Sequence, residues 1–263
     1  MIRKEEEEVF KDCYDIIGDP IGMGGFGEIH KAKNKKTNEY RAIKIIDKGR
    51  IRAFHSSKYF KKMTEEEMNT CIDRFKNEIE YMKIMEGKNK ENINTVKYYE
   101  YFNTQKEFII VMELCDFNLN TLLQKKEKGF NVNEIYNILN QLNNSFRIMN
   151  ENKIVHRDLK LENILIKYEN KDKYIVKLTD YGISKQLLNL SHLSTKVGTL
   201  KYEAPEIMEE TKNYNEKCDL WSLGIIIYIL CFRKFPFKGE TQISLLNSIK
   251  KEKNILKKLI IKN

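Results

Sequence analysis

The chemistry-bearing residues of this chain concentrate in one run, His156-Arg157-Asp158-Leu159-Lys160-Leu161-Glu162-Asn163, followed shortly by Asp180-Tyr181-Gly182. Asn163 and Asp180 carry the oxygen donors that a small hard cation such as Mg²⁺ takes in low number, its other positions going to water and phosphate, and Asp158 is a candidate base. Upstream lies Gly22-Met23-Gly24-Gly25-Phe26-Gly27-Glu28-Ile29, whose glycines let backbone amides approach a phosphate without interference from a Cβ. Lys44 closes Arg41-Ala42-Ile43-Lys44 and sits among Ala42, Ile43, Ile45 and Ile46, a poor setting for an ordinary surface lysine. Ala204-Pro205-Glu206 completes the series. A phosphate cradle, a fixed ammonium and a cation site suit phosphoryl transfer, where positioning and charge neutralisation do most of the work.

These residues need elements to hold them. Residues 14–21, 28–33 and 40–47 read as short strands, with the glycines in the first turn and Lys35-Lys36-Thr37-Asn38 in the second. A Gly-x-Gly-x-x-Gly run also opens dinucleotide-binding units, but there a helix must follow at once. Glu28-Ile29-His30-Lys31-Ala32 reads as a strand instead. Residues 64–85 turn helical, with Thr64-Glu65-Glu66-Glu67 as cap and acidic first turn. Residues 96–102 and 107–114 return to β character. Apolar residues at Ile135, Ile138, Leu139, Leu142, Phe146 and Met149 mark a helix over 133–150. Residues 220–232 are apolar on every face, which predicts a fully buried helix. The order gives a β-rich lobe to about residue 112, a helical lobe after it, and a cleft between them.

Composition narrows the class. The chain has 263 residues, 41% hydrophobic and 32% charged, which describes a globular protein able to bury a core. The net charge of +9 is almost all lysine. Charge alone says little about partners, and no aromatic-interleaved basic motif is present, so nucleic acid is not expected. Cysteines 13, 71, 115, 218 and 231 have no metal-type spacing and read as reduced thiols inside a cell. The start has no apolar secretory core. The longest apolar run, 225–232, is far short of the roughly 20 residues a bilayer needs, so no integral membrane contact is expected. The cytoplasm is the expected location, with the nucleus as the alternative.

In this order and spacing the motifs resemble the signature set of the eukaryotic protein kinases, over about residues 10–252. The resemblance implies an α+β, protein-kinase-like bilobal fold. A small β-rich N-lobe with one main helix would take residues 10–112, a hinge 113–118, and a larger helical C-lobe 119–252. Residues 253–263 would form a basic amphipathic tail. The implied activity is transfer of the γ-phosphate of ATP, with Mg²⁺, to Ser and Thr hydroxyls of protein substrates. The calcium/calmodulin-dependent branch is nearest in look, from residues 219–224 and Pro236-Phe237. The alternative is a weak or inactive nucleotide-binding pseudokinase acting as an interaction module.

Residue by residue, the resemblance makes Asp158 the base that takes the acceptor proton and Lys160 the cation at the γ-phosphate, with Thr199 bonded to both. Lys44 would hold the α/β-phosphates and pair with Glu78, the better placed of Glu78 and Glu80. Asn163 and Asp180 would hold the metal. Ile21, Gly22, Gly24, Gly25, Phe26, Gly27, Ile29, Ala42, Met112, Glu113, Cys115 and Leu165 would line the nucleotide, with Met112 as gatekeeper and the backbone of Glu113 and Cys115 on adenine. His156 reads as a packed residue against Tyr181, which stands where the family commonly has Phe. Asp219 would cap the backbone amides of the catalytic run. Arg157 before Asp158 implies switching by phosphate in the loop 183–203, put there by an activating kinase or by the chain itself, with Thr195 first and Ser194 second as acceptors. Glu162 implies a basic residue shortly before the acceptor.

Two departures stand out. Lys44 and Glu78 are 34 positions apart, longer than the family pattern, and the excess, with Lys48, Arg50, Arg52, Lys58, Lys61 and Lys62, reads as a solvated insertion or else as an extra basic helix. The C-terminal helices of the family are missing, which predicts a Glu206 without its usual arginine and an apolar helix 220–232 lacking part of its cover.

Overall fold

The structure is a computed structural model that describes residues 6–24, 26–59, 61–87, 91–171, 173–181, 200–209 and 216–261; the side chains of Glu78 and of residues 253–261 lie outside that description. Five antiparallel strands form the first sheet, in the order β1-β2-β3-β5-β4. They are β1 (Tyr14–Met23), β2 (Gly27–Asn34), β3 (Tyr40–Asp47), β4 (Tyr98–Asn103) and β5 (Glu107–Glu113). The β1–β2 turn is the glycine run. Gly24 N–H donates to the Gly27 carbonyl at 2.8 Å, and pairing resumes at Gly22 opposite Ile29. A Cβ on Gly27 would lie 1.8 Å from the Ile45 carbonyl oxygen, so this position must be glycine for β2 to lie against β3.

Helix α3 (Glu65–Glu86) crosses one face of this sheet, burying Met68, Phe75, Ile79, Met82 and Met85. Its start is the capping box written in its sequence. Thr64 Oγ1 accepts from Glu67 N at 3.2 Å, and Glu67 Oε2 accepts from Thr64 N at 2.8 Å. The opposite face carries a helix that the sequence pattern does not announce, α1 (Glu6–Cys13). Its glutamate-rich run hides one anchor, Phe10, which stacks on Tyr14 and meets Phe102 edge-on over Ala32, Ile43 and Val111.

The insertion after β3 is anchored in the core on one side and exposed on the other. It folds as α2 (Lys48–Tyr59), with Ile51 fully buried and Lys48 and His55 nearly so. The Lys48 ammonium donates to Asn103 Oδ1 at 2.8 Å and to the Thr104 carbonyl, and lies over the Phe108 ring. A buried cation needs such partners, and these tie the base of α2 to the β4–β5 turn.

After β5 come β6 (Phe117–Asn118), α4 (Leu119–Gln124) and α5 (Val132–Glu151), with Asn131 capping α5. A 3₁₀ turn (Leu161–Asn163) leads into β7 (Ile164–Tyr168), which pairs with β6 and with β8 (Tyr174–Leu178) in a second sheet. Among the described residues three helices follow: α6 (Pro205–Met208), α7 (Lys217–Phe232) and α8 (Gln242–Ile261). Helix α7 is apolar on every face yet lacks part of its cover, as the sequence predicts. It buries Cys218, Asp219, Ser222, Ile225, Ile226, Ile229 and Leu230, but Leu220 is 66% and Phe232 59% exposed. Arg233 does not answer Glu206; its guanidinium donates to the carbonyls of Leu123 and Lys126. Glu206 is nevertheless not without a partner. All five cysteines are free. No helix among the described residues is long and apolar enough to cross a membrane.

Candidate active site

The run 156–163 is suspended from α7. Asp219 is buried, and its two carboxylate oxygens accept the backbone N–H groups of His156 at 2.7 Å and Arg157 at 2.9 Å. The bond matters because Arg157 holds a left-handed φ of 64°, costly for a residue with a Cβ unless its surroundings impose it. His156 is fully buried. Its Nε2 lies 2.9 Å from the Thr179 carbonyl, and its ring is 5.4 Å from that of Tyr181.

On this support Asp158 meets two groups from its own loop. Lys160 Nζ donates to Asp158 Oδ2 at 2.7 Å, and Asn163 Nδ2 donates to the same oxygen at 3.1 Å and to the Asp158 carbonyl at 2.8 Å. Lys160 and Asp158 are about four-fifths buried, so this pair is screened less than a surface pair. Asn163 spends its nitrogen on Asp158, which leaves its carbonyl oxygen as the atom it can offer a cation. The Asn163 backbone carbonyl accepts from Thr179 N at 3.1 Å, tying the loop to the segment that carries Asp180.

Asp180 comes from the chain after β8 and Lys44 from β3 of the other sheet, yet Lys44 Nζ donates to Asp180 Oδ1 at 2.5 Å. Asp180 also sits at a left-handed φ of 58°. Burial pushes its carboxyl up. The Lys44 ammonium, by charge and hydrogen bond, outweighs burial with help from Lys160 and His156, and holds the group below its ordinary value. A carboxyl depressed on folding stabilises the fold above its unfolded pKa and loses that contribution as pH falls through the depressed value. Lys44→Met removes the cation and leaves burial unopposed. The melting temperature of this variant should trail the parent most at neutral pH, and the gap should close below pH about 4 as Asp180 takes a proton. A gap independent of pH would show that Lys44 does not act through Asp180.

Tyr181 is 2% exposed, and its hydroxyl shares a 2.5 Å hydrogen bond with Thr95 Oγ1, in the segment between α3 and β4. Burial raises the pKa of the phenol, so it stays protonated. Thr95 was not singled out in the sequence; a tyrosine where phenylalanine is usual was the one signal that a partner hydroxyl must exist. Tyr181→Phe keeps the ring and loses the bond, and should cost about 1 kcal/mol in a urea titration.

The described ones among the remaining candidates lie on β1, β2, β3, β5 and β7 or in the segments beside them. Ala42 stands opposite Met112 in the β3–β5 register, and both are buried. Glu113 ends β5, donates its N–H to the Lys97 carbonyl at 2.9 Å, and pairs with Lys177 at 2.9 Å. Cys115 lies just beyond, and burial pushes its thiol up to about 12, far from a reactive thiolate at neutral pH. Leu165 lies half-buried on β7. Ile21 is 56% exposed on β1, Ile29 is half-buried on β2, and Phe26 at the loop tip turns its ring to Phe54 of α2. Glu162 is exposed. Gly25, Ser194, Thr195 and Thr199 lie outside the described residues, as does the side chain of Glu78, though its backbone belongs to α3.

Comparison with known proteins gives the class of this chain. The family described as Protein kinase domain matches residues 16–263, and the chain belongs to that family. It is 35% identical over 240 residues to "Calcium-dependent protein kinase 5" of Plasmodium berghei (strain Anka), a match covering 90% of this chain and 38% of that protein. It is 32% identical over 251 residues to "Calcium-dependent protein kinase 4" of Plasmodium falciparum (isolate 3D7), covering 95% and 43%. The chain thus spans about two fifths of the length of these relatives.

Proposed function

We propose that this chain is the catalytic domain of a serine/threonine protein kinase, moving the γ-phosphate of Mg-ATP to hydroxyls of protein substrates. The observation that carries this reading is the Lys44–Asp180 ion pair, which joins the two sheets beside Asp158, Lys160 and Asn163. The lobes are residues 10–112 and 119–252, joined by the hinge 113–118, with 253–263 as a basic tail. ATP lies between the glycine loop and Leu165, with adenine against Ala42, Met112 and the backbone of Glu113 and Cys115.

The donor set fits Mg²⁺: the carboxylate of Asp180 and the carbonyl oxygen of Asn163 are hard, few and near two cations that would face phosphate. When bound, the metal supplies charge neutralisation on the phosphates. Lys44 holds the α/β-phosphates, with Glu78 as its helix partner. Lys160 offsets charge on the γ-phosphate, and Asp158 accepts the acceptor hydroxyl's proton, with Thr199 bonding both. Glu162, exposed at this edge, favours a basic residue before the acceptor. Phosphate on Thr195 or Ser194, from an activating kinase or from the chain itself, answers Arg157. The cytoplasm or nucleus is the location.

The test is transfer of label from γ-radiolabelled Mg-ATP to a generic basic protein. Acid hydrolysis should return label on serine and threonine. Nucleotide binding without transfer by a folded chain would mark an inactive nucleotide-binding module.

A further inference from the structure

Helix α2 touches two elements that the proposed phosphoryl transfer depends on, and it does so through different side chains. On one side is the glycine loop. Phe54 meets Phe26, at the loop tip, edge-on with ring centres 5.4 Å apart and planes at 87°. Arg50 Nη2 lies 3.0 Å from Glu28 Oε1, on the strand leaving the loop. Asp47, whose carboxylate accepts the N–H groups of Gly49 and Arg50 at the start of α2, donates its own N–H to the Phe26 carbonyl at 2.9 Å. On the other side is the first turn of α3. Arg52 lies 3.4 Å from Glu65, and His55 Nε2 is 3.5 Å from Glu67, the capping-box glutamate. Ile51 and Lys48 root the helix between these contacts.

A glycine loop has little of its own to fix its height. Met23, the other large side chain beside the turn, is 69% exposed, so Phe26 is the side chain through which the described part of the tip packs. We propose that α2 is a strut setting the glycine loop against the first turn of α3, with Phe54 and Arg50 as positioning residues for the nucleotide phosphates. Neither touches nucleotide; they act through Phe26 and Glu28. Because one rigid helix holds both the loop and α3, a shift of α3 moves the phosphate cradle with it. The phosphate role rests on the kinase reading above, whereas the mechanical link does not.

Two readouts on the full chain separate these parts. The first is amide hydrogen exchange without nucleotide. Phe54→Ala should speed exchange in the loop and in the first turns of α3, and Phe54→Tyr, which keeps the edge-to-face ring, should restore it. The second is the dissociation constant of Mg²⁺ with a fluorescent ATP analogue. An aromatic pair of this kind implies a rise of about three- to tenfold for Phe54→Ala, with the KM for protein substrate unchanged. Phe26→Ala should give a similar rise, and the double variant no more than either single one. A folded Phe54→Ala protein with unchanged loop exchange overturns the strut. So do affinity losses that simply add in the double variant. If the parent binds no nucleotide, the kinase reading fails and hydrogen exchange alone decides the mechanical link.

Discussion

Asp158→Asn should lower phosphoryl transfer by a factor on the order of 10²–10⁴, the range general-base assistance contributes. The substitution is nearly isosteric. Its side-chain oxygen can still accept from Lys160 and Asn163, which now meet Asp158 at 2.7 and 3.1 Å. What disappears is the carboxylate charge and with it the proton acceptor. Nucleotide affinity and melting temperature should therefore change little while turnover collapses, a split that general destabilisation cannot produce. Single-turnover label transfer beside nucleotide titration reads both quantities. A residual rate within tenfold of the parent would show that another group takes the proton.

The largest stability effect belongs to a residue that does no chemistry. Asp219→Ala should cost about 2–5 kcal/mol, because one buried and one partly buried N–H group lose a charged acceptor at once. For a domain whose whole stability is about 5–15 kcal/mol this is a large share, and the melting temperature should fall by about 5–15 °C. Activity should fall further than unfolding alone explains, since the same bonds hold Arg157 at its left-handed φ next to Asp158. Asp219→Asn keeps one acceptor oxygen and should recover part of both. A stability loss under 1 kcal/mol for the alanine variant would mean that water replaces the carboxylate, and that the loop does not hang from α7.

Local rules made much of the fold legible. Thr64 and Glu67 are three positions apart, the spacing at which each can serve the other's backbone, and α3 begins there. The apolar stripe from Ile135 to Met149 could face only one way, and α5 forms over it. The residues directly after the glycines favour a strand over the helix that a dinucleotide loop needs, and β2 forms there. Elsewhere composition masks a single anchor. Four glutamates conceal Phe10 and the helix it pins, and basic residues conceal Ile51 and α2. One buried apolar side chain per helix is too little for a periodicity to register. Helix α7 shows the reverse: an all-apolar sequence says that burial is favourable, and only the fold decides whether neighbours cover Leu220 and Phe232.

The sequence by itself determined which groups the chain owns and in what order: a loop free of Cβ atoms, an ammonium in an apolar strand, and carboxylates and an amide at short spacing. Those follow from covalent structure and short-range hydrogen bonding. Tertiary structure decided which of them meet. Lys44 reaches Asp180 across 136 positions, Tyr181 finds Thr95, and Phe26 finds Phe54. Such contacts are set by how sheets and helices close on a shared core, where burying apolar area outweighs any one polar pair, and no spacing along the chain encodes them.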